Sequence, residues 1–273
     1  MKSIIVPVDF SSQSEYAFQV AASIAKKQNA TIYVLHMLEL NQAIVSSNIE
    51  LHPEQMVFFI KLAEKRLSEF MDKPYLKGVK LVPIIKHFKV FSEISEVAQE
   101  HSADLIVMGS HGTEGLKEIF VGSNTERVVR NSDIPVLVIK NRIEDFKPRK
   151  MVFACDLKEE NINAFHRAES IADIFSAKLK PVYINTPGDD FMATSEIRKK
   201  MDAFSRAVDS DLSITIYNDY SIERGVLNYA EESKADVIGI PTHGRKGLSH
   251  FFMGSIGEDV ANHSEIPVIT FKI

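Results

Sequence analysis

The segment DLIVMGSHG at residues 104–112 decides the fold, because it returns as DVIGIPTHG at residues 236–244, 132 positions later. In both copies an apolar run ends in a short loop that contains glycine, which indicates a buried strand followed by a turn. The same spacing aligns Gly122-Ser123 with Gly254-Ser255. Repetition over so long a period predicts a chain built from two copies of one domain-sized unit.

The beginnings of the two units also match, at a slightly different spacing. The segment VDFSSQSEYAF at residues 8–18 aligns with CDLKEENINAF at residues 155–165, which places Asp9 over Asp156. The second unit is therefore shorter through its middle. This pattern is typical of a duplicated domain and differs from the short period of a solenoid.

A charged connection separates the two units. Residues 141–150, NRIEDFKPRK, contain few apolar side chains and lie between two apolar runs. We predict one domain over residues 1–142 and a second over residues 149–273. Because the connection is so short, we expect the domains to pack against each other.

Each unit alternates short runs rich in Val, Ile and Leu with segments of helical periodicity. The predicted strands are 3–9, 31–37, 80–85, 104–108 and 136–140 in the first unit, and 151–156, 178–184, 212–217, 236–240 and 267–272 in the second. Continuous apolar strands separated by helices favour a parallel sheet covered on both faces. We therefore predict two tandem α/β domains, each a doubly wound, Rossmann-like, five-stranded parallel sheet.

Composition and charge exclude several classes of protein. Of the 273 residues, 45% are apolar and 25% are charged, and the net charge is −5, which is typical of a soluble globular protein. Such a balance offers no basic surface for nucleic acid or for an anionic membrane. We expect no membrane-spanning helix and no membrane partner. The single cysteine, Cys155, cannot form an internal disulfide, which fits a reducing compartment and predicts a cytoplasmic location.

The loop after the fourth strand has the residue types of a phosphate site. In such a fold, ligands bind where the carboxyl ends of the first and fourth strands meet. Gly109 and Gly112 are followed nine residues later by Gly122-Ser123, where a helix is predicted to begin. Glycines let a ligand approach the backbone, and the N-terminus of a helix attracts phosphate. Asp9, at the end of the first strand, can accept from an exocyclic amine or a ribose hydroxyl.

Several of these residues also have structural interpretations. Ser123 and Glu126 match a helix-capping box, and glycines after a strand are often turn residues. His111 and His243 share one loop position, but no cluster with metal-ligand spacing accompanies them. Cys155 lies on a predicted buried strand and is interpreted as an unreactive core thiol. We assign no metal ligand and no catalytic residue.

Four segments, VPVDFS, DLIVMGSHG, GSNTERVV and IPVLVIK, resemble those of the universal stress protein family, whose motif is G-x2-G-x9-G-(S/T). The resemblance covers both units and implies an ATP- or AMP-binding fold like that of the adenine nucleotide alpha hydrolases, with Mg²⁺ as an optional companion ion. It implies nucleotide contacts at Pro7, Val8, Asp9, Met37, Met108, Gly109, Gly112, Gly122, Ser123 and Asn124. Pro7, Asp9 and Met37 would lie along the adenine and ribose, and Met108 and Gly109 would flank the nucleoside. The phosphates would be held by Gly112, Gly122, Ser123 and Asn124.

The second unit departs from this motif. Pro241 stands where the first unit has Gly109, and Ala154 replaces Pro7. The resemblance therefore implies only a weaker second site there, at Asp156, Gly244, Gly254 and Ser255. In the first unit, Phe88 stands where the family often has a G-x-P element, and a side chain of that size would narrow the pocket mouth.

The resemblance also implies partners and a class of function. Family members pair through their last strand, so Val136–Lys140 is expected to pair with Pro267–Lys272 within the chain, and a homodimer is left open. The expected function is an ATP- or AMP-binding regulatory protein of the bacterial stress response. Two alternatives stay open: a slow ATPase that uses the same pocket, although no P-loop is present, and a nucleotide-free interaction scaffold.

Overall fold

The structure is a computed structural model. It describes residues 1–38, 53–87, 90–110, 122–188, 191–210, 212–242 and 256–273.

In the first repeat, strands and helices alternate along the chain. They are β1 (Ser3–Val8), α1 (Ser12–Gln28), β2 (Thr31–Leu38), α2 (Pro53–Met71), β3 (Lys80–His87), α3 (Val90–Glu100), β4 (Leu105–Gly109), α4 (Ser123–Asn131) and β5 (Val136–Ile139). The five strands lie where the apolar runs predicted them. A short 3-10 turn at Pro74–Leu76 precedes β3.

The second repeat has the same order of elements. They are β6 (Lys150–Ala154), α5 (Ile162–Phe175), β7 (Lys178–Asn185), α6 (Thr194–Ala207), β8 (Thr215–Asn218), α7 (Ile222–Glu232), β9 (Val237–Thr242), α8 (Ile256–His263) and β10 (Val268–Lys272). Strand β8 begins three residues later than predicted. Both repeats are thus α/β units of the predicted class.

The strands form one ten-stranded sheet in the order β3-β2-β1-β4-β5-β10-β9-β6-β7-β8. Each repeat contributes five strands with parallel neighbours, and the order reverses between β1 and β4 and between β6 and β9. Strand β10 pairs with β5 antiparallel, with Ile269 opposite Leu137. The predicted doubly wound fold is confirmed, and the two five-stranded parts are continuous through this one antiparallel pair.

Asp104 and Asp236, the first residues of the two repeated segments, each bind the beginning of the neighbouring central strand. Asp104 Oδ2 accepts from the backbone N–H groups of Lys2, at 2.5 Å, and Ser3, at 3.0 Å. Asp236 Oδ2 likewise accepts from the N–H groups of Arg149, at 2.8 Å, and Lys150, at 2.9 Å. In both repeats the carboxylate satisfies donors at the start of the central strand, where no ladder partner is available.

Alternating side chains along the strands fill two apolar layers. Val6 and Val8 belong to the layer that packs against α1, whereas Ile5 belongs with Met37 and Met108 to the layer beneath α3 and α4. Because successive residues of a strand point to opposite faces, Pro7 lies on the same face as Ile5. The sheet therefore presents Pro7, Met37 and Met108 to one layer.

Two residues of the charged connection between the repeats are buried, Phe146 and Pro148. Phe146 is only 4% exposed, and its ring packs edge-on against Phe175 with centroids 5.4 Å apart. Its carbonyl oxygen accepts from Lys27 Nζ at 2.8 Å and from Ser23 Oγ at 3.3 Å. The connection thus contacts α1 of the first repeat and α5 of the second.

Among the helices that the structure describes, we find none with both the length and the apolar character that a bilayer crossing requires.

Candidate functional site

The site predicted from the sequence surrounds the carboxyl ends of β1 and β4. The order of the strands reverses between them, and ligands of open α/β sheets bind outside the carboxyl ends of the strands at such a reversal. Strand β1 ends at Val8, strand β4 ends at Gly109, and helix α4 begins at Ser123. The described ends of the loops named by the sequence therefore lie at one edge of the sheet.

Asp9 is oriented by the start of helix α1. Its Oδ1 accepts from the backbone N–H of Ser11 at 3.0 Å and from the Ser11 hydroxyl at 2.5 Å. Ser11 in turn is the N-cap of α1 and accepts from the Ser14 N–H at 3.1 Å. The carboxylate of Asp9 is half-buried, so the cap fixes its direction while part of it still faces solvent.

The backbone beside Asp9 has an unusual conformation in both repeats. Phe10 has a φ of 67°, and its counterpart Leu157 has a φ of 62°. The left-handed region costs a side chain with a Cβ about 1 kcal/mol or more. Because a left-handed residue follows the aspartate in both repeats, the same sharp turn follows the central strand in each of them.

The apolar residues predicted to contact the nucleoside divide between two faces. Pro7 is half-buried at the site edge, and Met37 and Met108 are buried in the layer beneath α3 and α4. Val8 instead packs in the opposite layer, against α1. Its carbonyl oxygen accepts from His36 Nδ1 at 2.8 Å, so the side chain of Val8 lies in the other layer and its carbonyl oxygen already has a partner.

Packing requires a glycine at position 109. A Cβ at this position would lie 2.7 Å from the carbonyl carbon and 2.8 Å from the carbonyl oxygen of Gln13, in α1. Helix α1 therefore approaches β4 over a residue without a side chain. The sequence analysis predicted that this glycine contacts the nucleotide. The structure shows that it also allows the close approach of the protein's own backbone at Gln13.

The ends of the glycine loop meet in the structure. The Gly122 N–H donates to the Ser110 carbonyl at 2.6 Å, and the Ser110 N–H donates to the Ile139 carbonyl at 3.1 Å. Ser110 itself is fully buried. Gly112 and His111 lie outside the described residues, as does Phe88, so their predicted roles remain predictions.

Helix α4 begins differently from the capping box proposed on the sequence. Its N-cap is Gly122, which has no side chain to cap with, and Ser123 is already the first helical residue. The predicted capping box of Ser123 with Glu126 is therefore wrong. Glu126 instead accepts from Arg130 one turn later, at 3.1 Å.

The hydroxyl of Thr125 fixes the first turn of α4, and the sequence analysis did not single this residue out. Thr125 is buried, and its Oγ1 donates to the Gly109 carbonyl at 2.9 Å. This bond joins the helix to the end of β4. Because the first N–H groups of any α-helix have no acceptor within the helix, those of Ser123 and Asn124 are placed to donate to an anion. The only sequence signal was a threonine two positions after Gly122-Ser123.

The corresponding aspartate of the second repeat is enclosed. The Asp156 side chain is 1% exposed, and its Oδ2 lies 3.4 Å from Lys158 Nζ. Its Oδ1 accepts from the Lys158 N–H at 3.1 Å and from the Asn161 side-chain amide. Neither Lys158 nor Asn161 was singled out from the sequence, although both stand in the quoted segment CDLKEENINAF.

Other residues of the weaker second site are only partly described. Gly244, Gly254 and Ser255 lie outside the described residues, and so does His243. Pro241 occupies the position of Gly109 within β9, opposite Phe271 of β10. The next residue, Thr242, is buried, and its Oγ1 donates to the Phe271 carbonyl at 3.4 Å.

Cys155 precedes this aspartate and is 1% exposed. Burial raises the pKa of its thiol from 9.0 to about 12, which keeps it protonated. The predicted burial of Cys155 in the core is therefore confirmed. In the described part of the chain, no three His, Cys, Asp or Glu side chains form a group suited to a metal ion.

Comparison with known proteins agrees with the duplicated architecture. The sequence profile of the Universal stress protein family matches residues 1–140 and, separately, residues 147–272. The universal stress protein MJ0531 of Methanocaldococcus jannaschii is 33% identical over 152 residues, which are 55% of this chain and 84% of that protein. The universal stress protein YxiE of Bacillus subtilis is 32% identical over 146 residues, 50% of this chain and 97% of that protein.

A solved structure shows the same fold over the whole chain. The crystal structure of a universal stress protein from Archaeoglobus fulgidus superimposes with a TM-score of 0.72, at 22% identity, and covers 99% of this chain and 96% of that one. At this identity the likeness concerns the fold alone. Together with the double match of the family profile, it shows that the chain belongs to the universal stress protein family and consists of two tandem domains of that family.

Proposed function

We propose that the first repeat binds an adenine nucleotide, ATP or AMP, and that the chain acts as a regulatory protein of the stress response. One observation carries this proposal: the N-terminal turn of α4, whose N-cap Gly122 has no side chain, lies at the same sheet edge as the oriented carboxylate of Asp9. An anion donor set and a hydrogen-bond acceptor at one switch point fit the two ends of a nucleotide.

Each part of the site has a chemical role in this proposal. The backbone N–H groups of Ser123 and Asn124, with Gly112 on the loop, would donate to phosphate oxygens. Gly122, whose own N–H already donates to the Ser110 carbonyl, would let the phosphate approach the helix closely. Asp9 would accept from the ribose hydroxyls or the exocyclic amine, because its carboxylate is oriented by Ser11 and the residue is only half-buried at the sheet edge. Pro7, Met37 and Met108 would supply apolar contacts to the base from one face of the sheet.

The second repeat, on this proposal, does not bind nucleotide through Asp156. That carboxylate is already enclosed by Lys158 and Asn161, and it exposes 1% of its side-chain surface. An acceptor without accessible surface cannot meet a ribose hydroxyl. We therefore expect one nucleotide per chain.

Calorimetry with ATP tests the proposal most simply. Gly122 has a φ of −59° and a ψ of 147°, a conformation that valine adopts readily, so Gly122→Val adds bulk at the phosphate position without backbone strain. We expect an affinity loss of about tenfold or more, which is typical of blocking charge-assisted contacts. The matched control is Gly254→Val, at the corresponding position of the second repeat, which is expected to bind ATP as the parent does. Absence of ATP and AMP binding by the parent would overturn the proposal.

A nucleotide-free scaffold is the second candidate, and the packing of Gly109 favours it. If the glycines of the loop serve only such close approaches, no nucleotide is needed to explain them. The two candidates differ in one measurement: a scaffold shows no thermal shift with ATP. For the third possibility from the sequence, a slow ATPase, we identify no residue with a catalytic role among those that the structure describes.

We also propose that the antiparallel pairing of β5 with β10 replaces the pairing of two separate chains. The pairing joins the last strands of the two repeats, and the remaining sheet edges are β3, which contains an exposed proline at Pro83, and β8, which has only four residues. Such edges discourage further strand addition. A monomer in sedimentation equilibrium is expected, and a stable dimer would contradict this. The boundaries 1–142 and 149–273 and the cytoplasmic location stay predictions.

A further inference from the structure

The carboxyl-terminal end of helix α4 contacts two cationic side chains of the other repeat. Lys272 Nζ, on β10, donates to the Asn131 carbonyl at 3.4 Å and lies 3.7 Å from Asp133 Oδ1. Arg167 Nη1, on α5, donates to the Asp133 carbonyl at 2.8 Å. Asn131 is the last residue of α4. The turn that ends the helix is therefore contacted by both a strand and a helix of the second repeat.

The amino-terminal end of the same helix is fixed within the first repeat. Thr125 Oγ1 donates to the Gly109 carbonyl at 2.9 Å, and the Gly122 N–H donates to the Ser110 carbonyl at 2.6 Å. Helix α4 has only nine residues. A helix of this length is unstable by itself, so its order depends on tertiary contacts, which are the burial of Val128 and Val129 in the first repeat and the contacts at the two ends of the helix. One end depends on the first repeat and the other on the second.

The reverse contact exists as well. Lys140, which lies 132 positions before Lys272, donates from Nζ to the Asn262 carbonyl at 2.7 Å and to the Ser264 carbonyl at 3.5 Å. Its Nζ also lies 3.7 Å from Glu265 Oε1. These atoms belong to the last turn of α8 and the residues after it. A cation at a helix carboxyl terminus satisfies carbonyl groups and opposes the negative end of the helix dipole.

We infer that Lys272 and Arg167 are positioning residues for the anion site of the first repeat, so that the second repeat, without a nucleotide of its own, sets the affinity of the first. This inference rests on the proposed function. When the two cations are removed, the last turn of α4 loses its contacts with the second repeat's Lys272 and Arg167, and the helix frays in a larger fraction of molecules. An anion that needs the ordered first turn then binds with an apparent affinity reduced by that fraction.

Lys272→Met and Lys140→Met form a matched pair for the test, made in the full-length chain. Lys272 is the last residue of β10 and Lys140 directly follows β5. Both substitutions remove contacts with a helix end of the other repeat, but only Lys272 contacts α4. We expect Lys272→Met to weaken ATP binding about threefold or more and Lys140→Met to leave it unchanged, at similar losses of melting temperature. Lys272→Arg is expected to restore the affinity.

Adenosine gives an internal control because it lacks phosphate. Its affinity is expected to be the same for the parent and for Lys272→Met, since α4 would contact only the phosphates. Arg167→Met provides a second variant on another element, with the same expected direction. If Lys272→Met binds ATP as tightly as the parent, or if Lys140→Met loses as much affinity as Lys272→Met, the inference is overturned. A parent that binds no adenine nucleotide contradicts the proposed function first, and with it this inference.

Discussion

Two aspartates at equivalent positions have different environments, and this difference decides which repeat we expect to bind. Asp9 is half-buried and contacts Ser11, the N-cap of α1. Asp156 is enclosed by Lys158 and Asn161. The same residue type at the end of the central strand therefore serves as a candidate ligand acceptor in one repeat and as part of a buried polar network in the other.

Replacing these aspartates separates the two roles. Asp156→Asn removes the charge that Lys158 and Asn161 surround, and we expect it to lower the free energy of unfolding by about 1–3 kcal/mol while ATP affinity stays the same. Asp9→Asn is expected to lower ATP affinity with a smaller change in stability. Urea unfolding and calorimetry on both variants measure the two effects. A loss of ATP affinity in Asp156→Asn would show that the second repeat takes part in binding.

Cys155 predicts how stability responds to alkaline pH. Burial raises the pKa of its thiol to about 12 in the folded chain, whereas the unfolded thiol ionises near 9.0. The stabilisation is therefore fully present below about pH 9 and decreases as the pH rises toward 12, because the unfolded state releases the proton first. Between pH 8 and pH 10.5, the parent is expected to lose about 2 kcal/mol more than Cys155→Ala. Equal losses in urea unfolding would contradict the burial of this thiol.

At the scale of the elements, the contact between α1 and β4 depends on the absence of one side chain. A Cβ on Gly109 would meet backbone atoms of Gln13 at 2.7 and 2.8 Å, which a change of rotamer cannot relieve. Helix α1 also provides the N-cap that orients Asp9. A shift of this helix would therefore disturb both the core and the candidate site.

Gly109→Ala is expected to destabilise the chain by about 1–3 kcal/mol through overpacking. Because the close atoms include the backbone of Gln13, adding Gln13→Ala should not restore the loss. Thermal unfolding of the single and double variants measures this. A Gly109→Ala variant as stable as the parent, or full rescue by Gln13→Ala, would contradict the close approach of α1.

The elements themselves could be predicted from the sequence, whereas their ends could be predicted only to within one to three residues. Strands and helices follow from local apolar periodicity, so all ten strands were predicted. The N-cap of α4 was placed one residue late, because Ser123 satisfies the capping pattern in sequence while the chain enters the helix at Gly122. The roles of Gly109 and Thr125 depend on contacts with residues far along the chain, which no local pattern contains.

At the scale of the whole molecule, the duplication gave two repeats that share a sheet and differ in their sites. The matching segments predicted the duplication and the family. They also indicated the weaker second motif, through Pro241 and Ala154, but not the network around Asp156. The contacts of Lys272 with α4 and of Lys140 with α8 are related by the same 132-residue spacing and join the repeats across β5 and β10.

Two-dimensional ¹H–¹⁵N NMR of the full chain during a titration with ATP tests the central claim most directly. If the first turn of α4 donates to phosphate, the amide signals of Ser123 and Asn124 shift strongly and saturate at one ATP per chain, while those of Ser255 and Ile256 in the second repeat stay in place. Saturable binding that leaves the Ser123 and Asn124 amides unshifted, or that shifts the second repeat instead, would contradict the account.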